Sequence, residues 1–326
     1  GKTTTTELLG HIHRTAGRPV AVAGNVGTPL ASLVGEVEDA ATVVCECSSF
    51  QLEDADAFAP DCATFLNLAP DHLDRHGTFE AYRDAKLAIF ANQIESDVAV
   101  INRDDLELAS GPIPGDARRV WFCEGGGCEM TVEAGVMRWQ GEALVGVGEL
   151  PLLGRHNLDN AMAAAAAALA MGIAPGAVAD GLRTFAGVPH RLERVRERGG
   201  VLFVNDSKAT NVASARAGSG AFAGGLHLIL GGSLKGESFR PLVEPVAERC
   251  AAGYLVGAAA DELAIALAPA AAAGVRFERS GTLAQAVQDA ADAAQPGQVV
   301  LLSPACASFD AFRDFEERGD RFRELV

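Results

Sequence analysis

The sequence is poor in positive charge. Its 326 residues include 27 lysines and arginines against 43 aspartates and glutamates, which gives a formal net charge of −16 at pH 7. A surface of this sign repels nucleic acid and anionic membranes, so neither is expected as the main partner. An anionic substrate must instead be held by local lysines, arginines and helix N-termini.

The sequence also lacks a long hydrophobic run. The alanine-rich segment 161–170 is apolar over ten residues. This is roughly half of what a membrane-spanning helix requires. The segment is therefore expected to form a buried helix, and no membrane association is predicted.

The seven cysteines show no paired spacing. An odd number without such spacing predicts reduced thiols rather than a disulfide framework. Together with the absence of a signal peptide, this predicts a cytoplasmic protein. Cys123 and Cys128 flank the glycines at 125–127, where we expect a hairpin tip. A metal site that uses these two cysteines as ligands is disfavoured, because no second Cys/His pair follows nearby.

The chain begins with GKTTT at residues 1–5. Gly-Lys-Thr ahead of a helix is the back half of a phosphate-binding loop, in which Lys2 reaches the β- and γ-phosphates and Thr3 can hold Mg²⁺. The front half of the loop and the strand before it are absent, so we expect a fragment or trimmed form. A bare Gly-Lys-Thr also occurs by chance at exposed helix starts, and the rest of the chain must decide.

The chain length favours two domains. Near-continuous apolar runs, alternating with helical patterns, predict a mostly parallel sheet that is covered on both faces. The predicted strands cover 19–23, 42–45, 63–68 and 97–101, and the predicted helices cover 3–16, 78–90, 157–171 and 174–186. Short alternating runs over 119–150 predict a β-meander.

Gly187-Val188-Pro189 interrupts this pattern and marks the expected domain boundary. We expect a central ATP-binding domain at 1–187 and a Rossmann-like domain at 188–326, with strands at 201–204, 226–230, 253–256 and 299–302. The predicted fold class is α/β: a P-loop ATPase domain with a mostly parallel sheet plus a β-meander, followed by a Rossmann-like α/β domain. Polar residues follow the strand ends, where open α/β sheets bind ligands.

Three polar features of the first domain suggest metal or substrate binding. Glu46 ends a buried strand and is placed to reach nucleotide-bound Mg²⁺, or is a capping or solvated acid. Segment 67–76 (NLAPDHLDRH) suits a second divalent cation or an anionic substrate, or is a turn with capping acids. Lys86 lies on the same helix face as Tyr82 and is by default a surface lysine.

Amides and loops supply the remaining candidates. Asn157 and Asn160 share one helix face and could bind a base or ribose, or cap the helix. Arg191 could reach nucleotide phosphates, and the polar runs 205–211 (NDSKATN) and 303–310 (SPACASFD) suit an amino acid that carries a carboxylate. No Ser-His-Asp ordering stands out, so acyl-enzyme chemistry is disfavoured.

Two classes of function fit these residues. One is an ATP-driven ligase that joins a carboxylate to an amine. The other is a phosphate-loop switch or kinase whose second domain is a binding module. A switch requires a base-binding motif such as Asn-Lys-x-Asp, which is absent, and a kinase gives no role to Lys208 and Lys235.

The motifs taken together resemble the Mur ligase superfamily along the whole chain. The resemblance rests on 1–5, 24–27, 46–52, 71–75 with Lys86, 156–160, 189–191, 206–211 and 302–310 with Phe315, Arg318 and Gly319. The runs 206–211 and 302–310 are similar to the D-glutamate-adding branch. The Asp-Asn-Pro-Arg motif of the branches that extend the peptide further is absent.

The resemblance implies a reaction in three steps. ATP phosphorylates the terminal carboxylate of UDP-N-acetylmuramoyl-L-alanine, the amine of D-glutamate attacks the acyl phosphate, and the intermediate collapses to amide and phosphate. It further implies two Mg²⁺ ions, a monomer, cytoplasmic peptidoglycan precursor synthesis, and an N-terminal uridine-binding domain that this chain lacks. Another Mur-type or folylpolyglutamate-type amide ligase remains the alternative within the superfamily.

The resemblance also implies roles for individual residues. The implied catalytic residues are Lys2, His72 and a carbamylated Lys86; the implied ATP contacts are Gly1, Lys2, Thr3, Thr4, Asn160, Arg191 and Asp206. The implied metal ligands are Thr3 and Glu46 for one ion, and His72 and Lys86 for the other. The implied substrate contacts are Asn25, Ser48 and His72 for the muramoyl group, and Lys208, Thr210, Lys235, Ser308, Phe309 and Phe315 for D-glutamate, with Phe309 where an aliphatic residue is common.

Overall fold

The structure is a computed structural model that describes residues 1–69 and 72–326, without the side chain of Asp74. Residues 70 and 71 of the polar segment 67–76, including Asp71 of the motif 71–75, therefore lie outside the described residues. The chain divides into two compact units: unit 1 comprises Gly1–Pro151 and Arg155–Ala186, and unit 2 comprises Leu152–Gly154 and Gly187–Val326. The predicted division at 187/188 differs from this one in placing 152–154 and Gly187 with the first part of the chain.

Unit 1 contains eight strands and seven α-helices in its described residues. In chain order they are α1 (Lys2–Thr15), β1 (Val20–Gly24), β2 (Thr42–Glu46), α2 (Ser49–Glu53), β3 (Cys62–Phe65), α3 (Leu73–His76), α4 (Phe79–Leu87), β4 (Val98–Asn102), α5 (Leu106–Ser110), β5 (Arg118–Glu124), β6 (Met130–Glu133), β7 (Val136–Trp139), β8 (Glu142–Gly146), α6 (Arg155–Ala170) and α7 (Pro175–Thr184).

Small side chains let the helices of unit 1 approach closely. Leu8 and Ile12, four residues apart on α1, are fully buried where the helix packs on α6 and α7. A Cβ atom at Gly181 of α7 would lie 2.8 Å from Ile12 Cγ1, so glycine permits this contact. The alanines at 161–168 are buried on all sides, as predicted for this segment.

The strands of unit 1 form two separate sheets. β1 and β2 pair in parallel with each other, and the second sheet has the order β3-β4-β5-β6-β7-β8. Strands β3 to β6 run parallel, whereas β6, β7 and β8 are antiparallel. The expectation of a mostly parallel sheet with a meander is confirmed, although the meander is limited to β6–β8.

The connection between β5 and β6 corrects two expectations. These strands run parallel, with Phe122 opposite Met130, so the glycines at 125–127 belong to a crossover and not to a hairpin tip. Cys123 and Cys128 are joined in a disulfide that closes this crossover, so the expectation of only reduced thiols is wrong for this pair. The short spacing that suggested a hairpin instead brings the two thiols together at the crossover.

Unit 2 contains six strands and six α-helices. They are β9 (Glu193–Arg198), β10 (Val201–Asn205), α8 (Val212–Ser219), β11 (Leu226–Gly231), α9 (Val243–Arg249), β12 (Cys250–Val256), α10 (Ala260–Ala266), α11 (Ala268–Ala272), β13 (Arg276–Gly281), α12 (Leu283–Ala293), β14 (Val299–Leu302) and α13 (Phe315–Leu325).

One continuous sheet forms the centre of unit 2, in the order β13-β12-β11-β14-β10-β9. All of its pairings are parallel except that of β9 with β10. Leu228 and Ile229 of β11 pack into hydrophobic clusters on opposite faces, which is why this strand is apolar without alternation. The Rossmann-like prediction is confirmed. In neither unit does any described helix have the length and apolar character that a membrane crossing requires.

Candidate functional site

The start of α1 packs closely against α6. The N–H and hydroxyl groups of Thr5 donate to the carbonyl oxygen of Gly1, at 3.0 and 3.2 Å, and its hydroxyl also lies 3.3 Å from Asn160 Oδ1. A Cβ atom at Gly1 would lie 2.9 Å from both Asn160 Oδ1 and Leu66 Cδ1, so a larger residue here would have to displace these side chains. No described side chain caps the helix start, and N–H groups at such a position can bind an anion.

Glu46 combines deep burial with an unpaired oxygen. Its side chain is at the end of β2 and the residue is 5% exposed. Oε1 accepts a 3.3 Å hydrogen bond from Asn25 Nδ2, whereas Oε2 has no hydrogen-bond partner in the described part of the chain. The Thr4 hydroxyl is likewise buried and unpaired. Buried polar atoms rarely lack a hydrogen-bond partner in native proteins, so a ligand is expected at this carboxylate.

The structure brings several predicted residues of unit 1 to one cavity. Gly1, Lys2, Glu46 and Lys86 are among the residues that line a cavity of about 730 Å³. Thr3 is half-buried on the first turn of α1 and does not line this cavity. A helix start, a buried carboxylate and two lysines therefore line the same cavity.

Lys86 lies against aromatic rings. Its Nζ atom is 4.8 Å from the ring centroid of Tyr82 and 5.3 Å from that of Phe65. These are cation–π distances, and they confirm that Lys86 and Tyr82 share one helix face.

His72 is positioned by aromatic contacts of its own. It precedes α3 in a left-handed conformation, with φ of 51°, and its ring centroid is 5.0 Å from that of Phe50. His76 is held by a 3.0 Å contact between its Nε2 and Ser49 Oγ. His72 is exposed and is not among the residues that line the cavity. Among residues 1–69 and 72–326, no three His, Cys, Asp or Glu side chains are grouped to hold a metal ion.

Ser48 has a structural role in the observed fold. Its Oγ atom accepts a 3.2 Å hydrogen bond from the N–H of Gln51, and Gln51 Oε1 accepts one of 2.9 Å from the N–H of Ser48. This reciprocal pair is a capping box at the start of α2. Contact of Ser48 with a substrate stays a prediction.

The amides of α6 interact with each other. Asn160 Nδ2 donates to Asn157 Oδ1 at 3.0 Å, and both residues are buried. The prediction that they share one face is confirmed. Contact of Asn160 with a nucleotide stays a prediction.

Asp206 links two loops of unit 2. Its Oδ1 accepts from the N–H of Leu192 at 3.2 Å, and its Oδ2 accepts from Ser303 Oγ at 2.8 Å. Burial raises the pKa of this carboxyl group to about 7, and the hydrogen bonds oppose the rise only in part. Arg191 precedes Leu192, and the residues on both sides of it have left-handed φ values, 61° at His190 and 44° at Leu192. Strain of this kind is held only where the surroundings fix the backbone.

Asn205 is a connecting residue that the sequence did not single out. Its Nδ2 lies 3.1 Å from His190 Nδ1 and 3.2 Å from both Glu193 Oε2 and the carbonyl oxygen of Gly319. Its Oδ1 accepts from the N–H of Ser207 at 3.1 Å. Only its position inside the polar run 205–211 hinted at such a role.

Arg318 joins two of the predicted D-glutamate loops. Only 3% exposed, it donates to Ser207 Oγ and O at 2.9 Å, to the carbonyl oxygen of Cys306 at 3.1 and 3.2 Å, and to that of Ala307 at 3.2 Å. All five N–H donors of the guanidinium group thus have acceptors. Burial lowers its pKa to about 10, so it remains charged at neutral pH.

The predicted D-glutamate residues fall into two groups. Lys208 Nζ is 5.1 Å from the ring centroid of Phe315, so these two lie together. Ser308 is buried in the loop that Arg318 holds, whereas Phe309 is 73% exposed. The remaining two are less enclosed: Lys235 is exposed on its loop, and Thr210 is half-buried before α8.

A backbone bridge brings the Lys235 loop to the Ser308 loop. The N–H of Ser233 donates to the carbonyl oxygen of Ala307 at 2.8 Å, and Ser233 Oγ donates to Asp310 Oδ1 at 3.3 Å. The loops after β10, β11 and β14 are therefore tied together at the carboxyl edge of the unit 2 sheet, where such sheets bind ligands.

Two family models match the chain. The model described as the Mur ligase middle domain matches residues 1–168, and the model described as the Mur ligase, glutamate ligase domain matches residues 190–306. Together they cover most of both units.

The chain is similar over its full length to curated relatives. The UDP-N-acetylmuramoylalanine–D-glutamate ligase of Acidobacterium capsulatum is 43% identical over 338 residues, which cover 100% of this chain and 72% of the relative. The protein of the same name from Solibacter usitatus is 43% identical over 328 residues, which cover 100% of this chain and 73% of the relative.

Among solved structures, MurF ligase from Thermotoga maritima in complex with ADP has a similar fold. The TM-score is 0.68 at 20% identity, and the match covers 100% of this chain and 77% of that one. A likeness at this identity concerns the fold alone.

Proposed function

The chain belongs to the Mur ligase family, and we propose that it joins D-glutamate to UDP-N-acetylmuramoyl-L-alanine with consumption of ATP. This is a step of peptidoglycan precursor synthesis. The observation that carries the proposal is the 43% identity over the whole chain to ligases of that name. It is supported by the cavity of unit 1, where a phosphate-loop helix start and a buried carboxylate meet.

The residues of unit 1 supply the nucleotide half of the reaction. Lys2 and N–H groups at the start of α1 would hold the transferred phosphoryl group and balance its charge. Asn25 holds one oxygen of Glu46 and leaves the other oriented for a ligand. Gly1, Thr4 and Asn160 in unit 1, and Arg191 and Asp206 in unit 2, remain proposed contacts of the nucleotide.

The chemistry follows from the two substrates. A carboxylate oxygen of UDP-N-acetylmuramoyl-L-alanine attacks the γ-phosphorus of ATP and ADP leaves, which gives an acyl phosphate. The amine of D-glutamate then attacks the acyl carbon, and phosphate leaves with the former carboxylate oxygen. The protein's part is to position these groups and to stabilise charge, as is usual in phosphoryl transfer.

The residues near Glu46 fit one Mg²⁺ ion. Glu46 Oε2, which has no partner in the described part of the chain, is a hard oxygen donor of the kind that Mg²⁺ accepts together with nucleotide phosphates. The hydroxyl of Thr3, on the first turn of α1, is the second proposed donor. When bound, the ion would neutralise phosphate charge. A second ion at His72 and Lys86 depends on carbamylation of Lys86, because a lysine ammonium group offers no lone pair to a metal.

The residues of unit 2 suit the acceptor amino acid. Lys208 beside Phe315 would bind a carboxylate of D-glutamate, and the buried loop with Ser308 offers hydroxyl and N–H groups for the other. Thr210, Lys235 and Phe309 are proposed to complete this pocket, and Asn25, Ser48 and His72 to contact the muramoyl substrate. We also propose that the protein acts as a monomer in the cytoplasm, where ATP is available, which gel filtration and cell fractionation would test.

Acceptor selectivity tests the proposal. Because the chain spans 72% of its relative's length, the product of the longest open reading frame should be assayed with ATP, Mg²⁺ and UDP-N-acetylmuramoyl-L-alanine. D-glutamate, L-glutamate, L-lysine and meso-diaminopimelate are compared, with phosphate release and product mass as readouts. A ligated product with D-glutamate alone is expected. Ligation of another acceptor, or phosphate release without ligation, would contradict the assignment.

A further inference from the structure

Two free thiols contact each other at the end of β2. Cys45 lies in the strand, and Cys47 directly follows its last residue, Glu46. Side chains two residues apart in an extended segment point to the same side, and the Sγ atoms of Cys45 and Cys47 are 3.8 Å apart. Neither cysteine takes part in a disulfide. The pair therefore presents two sulfur atoms at one place.

The backbone is fixed on both sides of this pair. Cys45 lies opposite Ala23 in the parallel pairing of β1 and β2. Cys47 is followed by the capping box of Ser48 and Gln51, which fixes the start of α2. The two sulfur atoms are thus held close together in advance, so little conformational entropy is lost when one ligand joins them.

The pair borders the cavity of unit 1. Cys45 and Cys47 are half-buried, and both are among the residues that line the cavity of about 730 Å³. Cys62 of β3 is also half-buried and lines the same cavity. In the described part of the chain Cys62 belongs to no such pair, so it offers a single thiol in similar surroundings.

The separation of the sulfur atoms suits one metal ion. A thiolate–metal bond is about 2.3 Å long in zinc sites, so an ion in contact with both sulfurs would make an S–metal–S angle of about 110°. No third His, Cys, Asp or Glu side chain joins the pair in the residues that the structure describes. Zn²⁺ sites use three or four protein ligands, whereas two thiolates satisfy the soft Cu(I) ion.

We propose that Cys45 and Cys47 together bind one soft cation of the Cu(I) class. Each thiol releases its proton to solvent as its sulfur binds the ion, and copper stays in the +1 state, so no electron is transferred. The ligands are sulfur atoms, whereas Glu46 between them offers the oxygen atoms that Mg²⁺ prefers. The proposal goes beyond the ligase reaction and does not depend on it.

Competition with a coloured chelator measures this binding. The product of the longest open reading frame is titrated with Cu(I) under argon, with ascorbate to keep the copper reduced and bicinchoninate as the competitor. One ion per chain is expected to bind, since Cys123 and Cys128 are joined in a disulfide and offer no thiol. An excess of Mg²⁺ should not displace the ion, because a hard cation competes poorly for thiolates.

Single substitutions locate the bound ion. Cys45→Ser and Cys47→Ser should each weaken Cu(I) binding by more than about 100-fold, because one of two tethered ligands is lost. Cys62→Ser is the matched control, since it removes a thiol from the same cavity. This control should change the affinity by less than about twofold, because its single thiol adds no second ligand.

Protection from alkylation gives an independent answer without any substitution. In the wild type, bound Cu(I) should slow the reaction of iodoacetamide with Cys45 and Cys47 and leave its reaction with Cys62 unchanged, as read from peptide masses. Equal protection of Cys62 would overturn the proposal. So would binding that survives either serine substitution of the pair, or displacement of the ion by Mg²⁺, which would place it at Glu46.

Discussion

The two units differ in whether all of their buried polar side chains are hydrogen-bonded. In unit 2, Asn205, Asp206 and Arg318 are held by hydrogen bonds that tie the loops at the carboxyl edge of one continuous sheet. In unit 1, the sheet is divided, and buried side-chain atoms without a hydrogen-bond partner are found only there among the described residues. Two of these atoms belong to Thr4 and Glu46.

This difference separates structural from ligand-binding roles. A satisfied buried network stabilises and rigidifies the fold, whereas an unsatisfied buried group carries a cost that a bound ligand can offset. Substitutions in the unit 2 network should therefore reduce stability first. Substitutions of the unpaired groups in unit 1 should reduce activity and leave stability nearly unchanged.

The largest effect is expected for Glu46→Gln. The variant keeps the shape of the side chain and removes the charge that would hold Mg²⁺. We expect kcat/KM to fall about 10²- to 10³-fold, because metal-assisted charge stabilisation contributes several kcal/mol. The free energy of unfolding should not fall, and Glu36→Gln on an exposed loop is the control. Retained activity would remove Glu46 from the proposed site.

Arg318→Met should have the largest effect on stability. It leaves the carbonyl oxygens of Ser207 and Cys306 without their donor, whereas that of Ala307 keeps the N–H of Ser233. Each buried unsatisfied group costs about 1–3 kcal/mol, so we expect a loss of at least about 2 kcal/mol. The loss in free energy of unfolding is measured by denaturant unfolding, with hydrogen exchange of β11 as the readout. Arg321→Met, on the exposed face of the same helix, should change stability by less than about 0.5 kcal/mol. Equal effects of both changes would contradict the structural role.

Asp206 should make the stability of unit 2 depend on pH. Its folded pKa of about 7 lies above the unfolded value of 3.8, so its contribution is fully present below pH 3.8 and is lost as pH rises through 7. The loss is on the order of a few kcal/mol. Urea unfolding of the wild type and of Asp206→Asn, each at pH 5 and pH 8, isolates the contribution of the Asp206 carboxyl group to stability. A difference between the two proteins that does not change with pH would show that the carboxyl group titrates normally.

Loss of the disulfide should affect unit 1 alone. Replacing Cys123 and Cys128 with serine opens a short loop, and the chain-entropy relation for this loop length gives a loss of about 2 kcal/mol. Trp121 and Trp139 both lie in unit 1, so tryptophan fluorescence reports its unfolding. Dithiothreitol should destabilise the wild type and leave the double variant unchanged. Equal unfolding of wild type with and without reductant would contradict the bridge.

Ser48→Ala should have the smallest effect. Loss of the cap of α2 costs about 1 kcal/mol, and Ser48→Asp should restore it because aspartate also caps. The proposed contact of Ser48 with the muramoyl substrate predicts in addition that the KM for this substrate rises about fivefold, since one hydrogen bond contributes about 1 kcal/mol. An unchanged KM with reduced stability would limit Ser48 to the cap.

The sequence predicted the central strands well and the edges poorly. β11 and β14 are continuous apolar runs because both of their faces are buried. β9 (ERVRER) and β13 (RFERSG) were not predicted, and they are the two edges of the unit 2 sheet. Edge strands carry charge that blocks pairing with other chains, which removes the apolar pattern on which prediction depends.

Prediction of the site residues from the sequence was limited in a similar way. Gly1, Lys2 and Glu46 follow from local motifs, and the structure places them around one cavity. Arg318 lies on the charged helix FEERGDRFREL and by pattern alone is a surface residue. Its burial depends on Gly319, where a Cβ atom would come within 2.1 Å of His190 Nδ1. Such a contact between residues far apart in the chain leaves no periodic signal.

Oxygen transfer tests the central claim most directly. UDP-N-acetylmuramoyl-L-alanine labelled with ¹⁸O in its terminal carboxylate is incubated with ATP, Mg²⁺, D-glutamate and the product of the longest open reading frame, and the released phosphate is analysed by mass. Ligation through an acyl phosphate predicts one labelled oxygen in each phosphate released. Phosphate without label would show that ATP is hydrolysed by water and would contradict the proposed ligase reaction.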